Sequence, residues 1–582
     1  MRRRWFILTA SIVFLVGLWA LGADVRALIP SEGGRKLASD FIRAAFQPAL
    51  DFQSETLRDS GMSFWGEVFS SLWLTVRYAV VAMSLALIIG IGGGILGARS
   101  WWTRRSLLLE FGCRVVRLLM TAIRSVHELM WALLFISAVG TSPLAAVLAL
   151  ALPFGGMLAK VFSELLDEAD SSAAELMQLS GGSGFAAFWG GVVTTALPDL
   201  VTYALYRLEC SVRASAVLGF VGIPTIGYRI ATAFEDGHLR EIWTYLYALL
   251  AVVWFFEWWG SHVRKVMMKG QEAKESGQTM DSATDLYRKR PRSRFLQASG
   301  LFVFGMMVAG WLSERDWTSG VSWERRSENL QRFLSELIPY PIREGGEWSL
   351  LGEWLSDLLV WKGLTALWQT LHLGTAAILL AGAVALVGLY WGARTLATES
   401  PQGVFLGKGA WRKLLGALVR IGAMLSRSMP EFILAFLFLQ IFGPTIWALI
   451  LAIAFHNVGI LLRLGAEVID NGQSQAAEVV LSQGGSRAEA YLGTLLPRSF
   501  NRLVLFLFYR WETCIREATI LGMLGVGSLG FLISEAKVRF YYDELLLWVI
   551  LGGGIVFVGD FISDWVRKRL RDGLPSQTNE QF

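Results

Sequence analysis

The sequence predicts an all-α, polytopic membrane protein made of two tandem six-helix halves, with about twelve spanning helices. Of its 582 residues, 54% are hydrophobic and 17% are charged, and the mean hydropathy is +0.47. Soluble domains do not bury so much apolar surface, so we expect membrane lipid to surround much of the chain. Basic residues stand at the ends of apolar runs, which indicates membrane topology and not nucleic-acid binding. An internal repeat in the sequence also supports this prediction of two similar halves.

The first apolar run, 5–23, follows three arginines and has the composition of either a signal peptide or a first spanning helix. A similar apolar run follows Arg294 in the middle of the chain, where no signal peptide is cleaved. Both runs are therefore predicted to be first spanning helices whose N-termini lie in the cytoplasm.

The repeat keeps a constant offset of 303 residues, since 431 − 128 = 303, over roughly a hundred residues. Glu128 then matches Glu431, and Gly140 matches Gly443. Six apolar segments follow in the first half, each long enough for about one span. They are 5–23, 68–98, 126–140, 143–165, 191–220 and 241–260.

Six crossings per half place both termini in the cytoplasm and give the two halves the same orientation. We therefore expect a pseudo-twofold axis along the membrane normal, with any solute path between the halves. The predicted division is a first half at 1–264, a polar cytoplasmic linker at 265–294 and a second half at 295–582. Segments 24–60 and 313–355 are predicted to lie outside, without a motif that identifies their contacts.

A polar, glycine-bearing stretch occurs once in each half, as AAELMQLSGGS and AAEVVLSQGGS. Such a stretch between apolar runs is expected in water, facing a partner. Its small and acidic residues are Ala173, Ala174, Glu175, Gly181, Gly182, Ala476, Ala477, Glu478, Gly484 and Gly485. LSGGS is like the signature loop of ATPases, but no GxxxxGK[ST] loop accompanies it, so the chain is predicted to be no ATPase and to bind no cofactor itself.

Charged residues interrupt one apolar run in each half. They are Arg207, Glu209, Arg213, Arg510, Glu512 and Arg516, with Glu517 following in the second half. Charges inside a bilayer cost about 2.5–3.5 kcal/mol each, so they normally face protein or a water-filled cavity. Glu209 and Arg213 have the i,i+4 spacing of a helical pair. Structural pairing and contact with a passing anion both fit the pattern.

Glu128 and Glu431 begin apolar helices, where an acidic side chain complements the helix dipole. His127 and His456 occupy unmatched positions, and the three cysteines are scattered in apolar surroundings, so no metal site is expected. Pro430, which stands opposite His127 in the repeat, predicts a helix break.

The polar stretches and their surroundings resemble the permeases of ABC importers. Glu175 and Gly181, Glu478 and Gly484, and then Leu496-Pro497 look like the family's cytoplasmic EAA loop. The flanking sequences SVHELMWALLFISAVG and YRLECSVRASAVLGFVG resemble the phosphonate/phosphite branch. The resemblance covers about 122–230 and 425–533 and implies two fused type I transmembrane domains.

The resemblance implies an importer in the bacterial inner membrane. Two copies of a separate ATPase, which carries ATP and magnesium, would dock on the two loops, and an extracytoplasmic binding protein would deliver the substrate. The arginine clusters would then line the path of a phosphonate-like oxyanion. The first loop departs from the pattern, because Thr194 stands where proline is expected and Pro198 follows four residues later. The two loops therefore need not be equivalent, and the sequence leaves open whether they couple equally.

Two other functions remain open from the residues alone. An ion-gradient-driven secondary transporter would use Glu128, Glu431 or the arginine–glutamate clusters as a proton relay. A membrane scaffold would carry no solute. Among substrates, phosphonate, phosphite, phosphate and other small oxyanions are not distinguished by the sequence.

Overall fold

The computed structural model describes residues 2–54, 61, 63–102, 107–275, 293–314, 317, 322–345, 348–394, 410–472 and 475–572. Within these ranges the regular elements are helices, as the apolar, glycine-punctuated sequence predicts. The predicted linker at 265–294 lies mostly outside the described residues.

Eleven α-helices precede the linker in the described part of the chain. They are α1 Arg2–Ala20, α2 Glu32–Ala45, α3 Phe64–Gly97, α4 Leu107–Ser125, α5 Glu128–Val139, α6 Pro143–Glu168, α7 Ser172–Leu179, α8 Gly184–Ala187, α9 Val193–Val217, α10 Ile226–Glu235 and α11 Leu239–Glu275. A π-helical turn, Phe188–Val192, joins α8 to α9.

The described part that follows the linker repeats this order. Its helices are α12 Arg294–Ser313, α13 Trp323–Glu336, α14 Tyr340–Gly345, α15 Leu351–Ser356, α16 Leu364–Gly392, α17 Ala410–Ser428, α18 Glu431–Phe442, α19 Ile446–Asp470, α20 Gln475–Ser482, α21 Arg487–Ala490, α22 Leu496–Leu521, α23 Leu529–Val538 and α24 Tyr542–Asp572. A π-helical turn, Tyr491–Leu495, joins α21 to α22 at the repeat position of the first.

Bends divide several predicted spans. Among the described residues, eight helices are long and apolar enough to cross a membrane, and the number rises to twelve if each bent helix pair counts as one span. The predicted span 126–140 is not a complete span, since α5 has only 12 residues. It forms a bent pair with α4 at 85°, and α18 forms one with α17 at 97°. The break predicted at Pro430 is therefore present, and His127 marks the same break in the first half.

The chain forms two compact units that do not coincide with the predicted halves. Unit A contains residues 1–40 and 336–582, and unit B contains residues 41–335. Each unit thus contains one repeat together with the first helix of the other half. The division into 1–264 and 295–582 describes the repeat in the sequence, whereas units A and B describe packing.

In unit A, helix α1 packs along α16. The rings of Phe6 and Phe500 meet edge to face at 5.7 Å. A methyl group added at Gly17 would lie 3.3 Å from Nδ1 of His372. After the helix, the indole of Trp447 donates a hydrogen bond to the carbonyl of Asp24 at 2.8 Å. Apolar packing and a main-chain contact therefore join the start of the chain to the second repeat.

In unit B, helix α12 packs along α3. A methyl group added at Gly310 would lie 2.8 Å from Cγ2 of Val81, so glycine allows close approach here. Arg77, which is buried in α3, forms an ion pair with Glu314 at the end of α12. Trp311 donates a hydrogen bond to Ser84 at 3.0 Å. The first repeat thus packs against the helix that opens the second half.

Helices α3 and α6 form a close pair within unit B. An added methyl group would lie 2.5 Å from Cβ of Leu158 at Gly90, and 2.7 Å from Cβ of Phe162 at Gly94. The glycines of α3 therefore let the two backbones approach one another, as small residues do in membrane helices.

Candidate transport and coupling sites

The first polar loop contains a short helix that ends on a glycine. Helix α7 follows α6 after a turn in which Asp170 accepts hydrogen bonds from the hydroxyl and the amide of Ser172. These bonds, that of the hydroxyl first, lower the pKa of Asp170 below its ordinary value. Gly181 has φ +88° and its amide donates to the carbonyl of Gln178 at 2.9 Å. Because side chains rarely tolerate this backbone region, glycine fits this helix end.

The buried side of α7 attaches the helix to unit B. Ala174 is buried in an apolar cluster with Leu166, Phe188 and Val192. A methyl group added at Gly191 would lie 2.6 Å from the amide nitrogen of Ala174. The side chain of Ala174 therefore packs against its own unit, and its assignment to the partner-docking loop stays a prediction. Ala173 is exposed.

The opposite side of α7 is apolar and exposed in the described part of the chain. Leu176 is 64% exposed and Leu179 is 85% exposed. Glu175 is exposed as well, and its carboxylate accepts a hydrogen bond from the hydroxyl of Ser171 at 2.7 Å. The outward face therefore combines two large apolar side chains with one carboxylate.

The second loop repeats this geometry in unit A. Helix α20 buries Ala477 and exposes Val479, while Ala476 and Glu478 are half-buried. Gly484 has φ +85°, and the amide of Gly485 donates to the carbonyl of Val480 at 2.9 Å. As in the first loop, the side chain of the buried alanine, Ala477, packs inward.

The displaced proline does not change the course of the backbone at either loop. Both repeats have a π-helical turn after the loop, at Phe188–Val192 and Tyr491–Leu495. Pro497 stands in the first turn of α22, whereas Pro198 lies inside α9. The two loops differ more in their outward side chains, which are two leucines in α7 and a valine in α20.

The arginine and glutamate residues of α9 lie close together in the second half of this helix, in unit B. Arg207 donates a hydrogen bond to the hydroxyl of Tyr203 at 2.8 Å, and its guanidinium lies 5.4 Å from the ring centre of Tyr206. Arg213 lies 3.4 Å from the carboxylate of Glu209, four residues earlier, as its spacing indicates. Arg213 and Glu209 therefore balance one another's charge.

The matching residues of α22 make a different network in unit A. Arg516 lies 3.7 Å from the carboxylate of Glu512, which repeats the pair in α9. Arg510, which matches Arg207, donates hydrogen bonds to Glu517 at 2.9 Å and to the side-chain oxygen of Asn457 at 2.7 Å. Asn457 in turn donates to the second oxygen of Glu517 at 3.1 Å. The largely buried Arg510 is thus held by a carboxylate and an amide.

Glu431 and His456 complete the polar cluster around Glu517. One ligand-type atom of each of these three residues lies within 4.8 Å of the others. His456 and Glu517 are each only 5% exposed. Reasoning from sequence set His456 aside because its repeat position in the first half is Pro153, since 456 − 303 = 153. The difference between the two repeats was the signal that could have indicated this cluster. Glu517 also has no acidic counterpart in the first repeat, where Ala214 stands at the matching position.

Glu128 does not have the surroundings of Glu431. It begins α5 beside His127, whose Nδ1 lies 3.2 Å from its carboxylate and accepts a hydrogen bond from the amide of Leu129. The two matching glutamates thus share a position at a helix start but differ in their contacts.

The order of these elements agrees with a family comparison. The family model described as "Binding-protein-dependent transport system inner membrane component" matches residues 90–257 and 400–574, one stretch in each repeat. The chain belongs to this family.

Several individual transport permeases are similar to the chain, over most of its length or over one part of it. The permease is 26% identical over 499 residues to the phosphate-import permease protein PhnE of Mycolicibacterium smegmatis, covering 85% of this chain and 84% of that protein. It is 29% identical over 191 residues to the phosphite transport system permease protein PtxC of Stutzerimonas stutzeri, covering 33% of this chain and 68% of that protein.

A shorter relative is matched over almost its whole length. The putative cryptic phosphonate transport system permease protein PhnE2 of Escherichia coli is 30% identical over 118 residues, which is 20% of this chain and 97% of that protein. No solved structure matches the chain. The permease is thus a member of the phosphonate, phosphate and phosphite import branch, with two copies of the domain fused in one chain.

Membership of this family carries two further conclusions. The relatives are transport permeases and not enzymes, and they reside in the inner membrane as multi-span proteins. The family implies an ABC importer that includes an ATPase and a substrate-binding protein.

Proposed function

We propose that the permease is the transmembrane subunit of an ATP-driven importer of a phosphonate-like small oxyanion. The observation that supports this most strongly is the pair of short helices α7 and α20. Each is attached inward through a buried alanine and ends on a glycine with positive φ. A helix held in this way, with an apolar outer face, suits transmission of force from a docked partner.

Two copies of an ATPase subunit would dock on these helices from the cytoplasm, where both termini of the chain also lie. Leu176 and Leu179 would enter an apolar cleft on one ATPase copy, and Val479 would do so on the other. ATP and magnesium stay on the ATPase. Closure of the ATPases would move α7 and α20 and, through the helices next to them, switch the open side of the cavity.

The substrate would be an oxyanion that meets arginine side chains inside the membrane. Arg207, Arg213, Arg510 and Arg516 are our candidates, with Glu209 and Glu512 balancing part of their charge. A buried guanidinium interacts strongly with an anion because water does not screen it. Relatives named for phosphate, phosphite and phosphonate transport support this substrate class. An extracytoplasmic binding protein would supply the substrate.

The docking test substitutes the exposed apolar residues of both loops. Leu176→Glu with Val479→Glu should abolish co-purification of the ATPase while the chain stays monodisperse in detergent. Leu50→Glu, which changes another exposed leucine in the predicted external segment 24–60, is the control and should leave co-purification unchanged. Retention of the ATPase by the double variant would refute docking at these helices.

The transport test uses vesicles that contain the permease, its ATPase and the binding protein. Arg207→Ala with Arg510→Ala should reduce uptake of labelled phosphonate, phosphite or phosphate at least tenfold, which is about 1.4 kcal/mol. The matched control is Arg114→Ala with Arg463→Ala, which removes one surface arginine from each repeat. Unchanged uptake would refute the arginine lining, and uptake by the chain without the ATPase would indicate a secondary transporter instead.

A further inference from the structure

Glu431, His456 and Glu517 come from three different helices of unit A. Glu431 begins α18, His456 lies in the middle of α19, and Glu517 lies near the end of α22. Their ligand-type atoms lie within 4.8 Å of one another, and the side chains of His456 and Glu517 are buried. We propose that these three side chains form a binding site for a divalent transition-metal ion of the Zn²⁺ class.

The donor set suits such an ion. Zinc takes imidazole nitrogen and carboxylate oxygen ligands at about 2.0–2.2 Å in a tetrahedral arrangement, so two ligands of one ion lie about 3.3–3.6 Å apart. The ligand-type atoms of the three side chains lie within 4.8 Å of one another, so they reach this spacing if they approach by roughly 1 Å on binding an ion. One imidazole and two carboxylates leave a coordination position for water or for an oxyanion.

A main-chain contact fixes the orientation of the histidine. Nδ1 of His456 lies 3.0 Å from the carbonyl oxygen of Met429. Because a carbonyl oxygen only accepts hydrogen bonds, Nδ1 carries the proton in this contact, and the lone pair is on Nε2. Histidine ligands of metals usually donate their other ring N–H in this way. The carbonyl is available because the chain breaks between α17 and α18 at this point, so Met429 lies outside both helices.

Two hydrogen-bond donors orient the carboxylate of Glu517. Asn457 donates to one oxygen of Glu517 at 3.1 Å, and Arg510 donates to the other at 2.9 Å. Each carboxylate oxygen has a second lone pair that remains for a metal. Arg510 also offsets one of the two negative charges of Glu431 and Glu517. A divalent ion would therefore meet a ligand set whose charge is already partly neutralised.

The site belongs to the second repeat alone. The repeat positions of His456 and Glu517 in the first half hold Pro153 and Ala214, which offer no ligand. We therefore expect one ion per chain, not two. Such an ion would join α18, α19 and α22 beside the helix break.

The test measures metal binding by the full chain, purified in detergent with a tag that contains no histidine. After dialysis against a chelator, Co²⁺ is added as a spectroscopic substitute for Zn²⁺. We expect one Co²⁺ per chain, with visible d–d absorption and displacement by Zn²⁺. His456→Ala should lose the ion, and His372→Ala, which changes another buried histidine of unit A, should retain it.

A second variant separates ligand loss from misfolding. His456→Cys replaces imidazole with a thiol, and a cobalt–thiolate bond gives a near-ultraviolet charge-transfer band that only a direct ligand produces. This band should appear in the monodisperse variant. Absence of stoichiometric Co²⁺ binding, equal binding by His456→Ala, or a monodisperse His456→Cys without the band would each overturn the proposal.

Discussion

Arg510 and Glu517, seven residues apart on α22, form an ion pair at 2.9 Å in which the carboxylate is buried and the guanidinium is largely buried. Asn457 of α19 bonds to both side chains. Unlike the pairs with i,i+4 spacing, this contact spans two helical turns along the helix and depends on a side chain from another helix. It therefore contributes to the packing of α19 on α22.

Removing one partner of this pair is expected to destabilise unit A. Glu517→Gln leaves the guanidinium of Arg510 buried without its carboxylate, which typically costs about 3–5 kcal/mol. We expect a lower Tm for the purified chain, measured with a chelator present so that metal binding makes no contribution.

The control for this prediction is an exposed pair in the same unit. Glu467→Gln breaks the pair of Arg463 and Glu467 on the surface of α19. Exposed helical pairs contribute about 0.3–0.5 kcal/mol, so the Tm should barely change. Equal effects of the two substitutions would contradict the role assigned to Glu517.

The close contact of α3 and α6 predicts that alanine substitutions at two glycines of α3 have different effects on stability. Gly94→Ala places a methyl group 2.7 Å from Cβ of Phe162, and such overpacking typically costs about 1–3 kcal/mol. Gly92 has open space around its Cα, so Gly92→Ala should be neutral or slightly stabilising. Thermal unfolding of the two variants provides the comparison, and a harmless Gly94→Ala would argue against this packing.

The glycines that end α7 and α20 predict an effect on ATPase docking. Gly181→Ala with Gly484→Ala forces alanine into left-handed backbone, at about 1–2 kcal/mol for each residue. We expect the affinity for the ATPase to fall by about five- to thirtyfold for each loop, measured by titration of the purified subunits.

Gly112→Ala serves as the control for the Gly181→Ala and Gly484→Ala substitutions. Gly112 lies inside α4, has no positive φ and has open space around it. Binding should be unchanged by this substitution. If Gly181→Ala with Gly484→Ala also bound the ATPase normally, the shape of the helix ends would be irrelevant to docking.

The packing of α12 on α3 can be tested by a cross-link. A Cβ at position 310 would lie 2.8 Å from Cγ2 of Val81, which permits the Cβ separation of a disulfide. Val81→Cys with Gly310→Cys should keep the two fragments together on a non-reducing gel after cleavage at a protease site inserted in the linker.

Val81→Cys with Gly300→Cys is the matched control for the cross-link. Position 300 lies on the same helix but has no neighbour within 4 Å, so the fragments should separate. Separation of the 81/310 pair under oxidising conditions would show that α12 does not pack on α3.

Much of the fold could be predicted because apolar length and repetition are strong signals. The helix starts at Glu128 and Glu431 are those that the sequence indicates. The segment 126–140, predicted to be one span, is the shorter helix of a bent pair, because composition alone does not reveal an 85° bend between two helices. The order of helices in sequence also gives no information about which unit the first helix packs in.

The candidate sites were predictable only where both repeats carry them. The loops and the matching arginines were found because they occur twice. His456, Asn457 and Glu517 were missed as a group because a search for shared residues discards positions that differ between repeats. The inward direction of Ala174 was also hidden, since small residues suit both a buried packing position and a partner surface.

The placement of α1 in unit A has a consequence for synthesis of the protein. Helix α1 ends at residue 20 and the helix it packs on begins at residue 364, so 364 − 20 = 344 residues separate them. At roughly 5–20 residues per second, the ribosome needs roughly 20–70 s to cover that distance. During this interval α1 lacks the helix on which it packs in unit A, which also includes the last residues of the described chain.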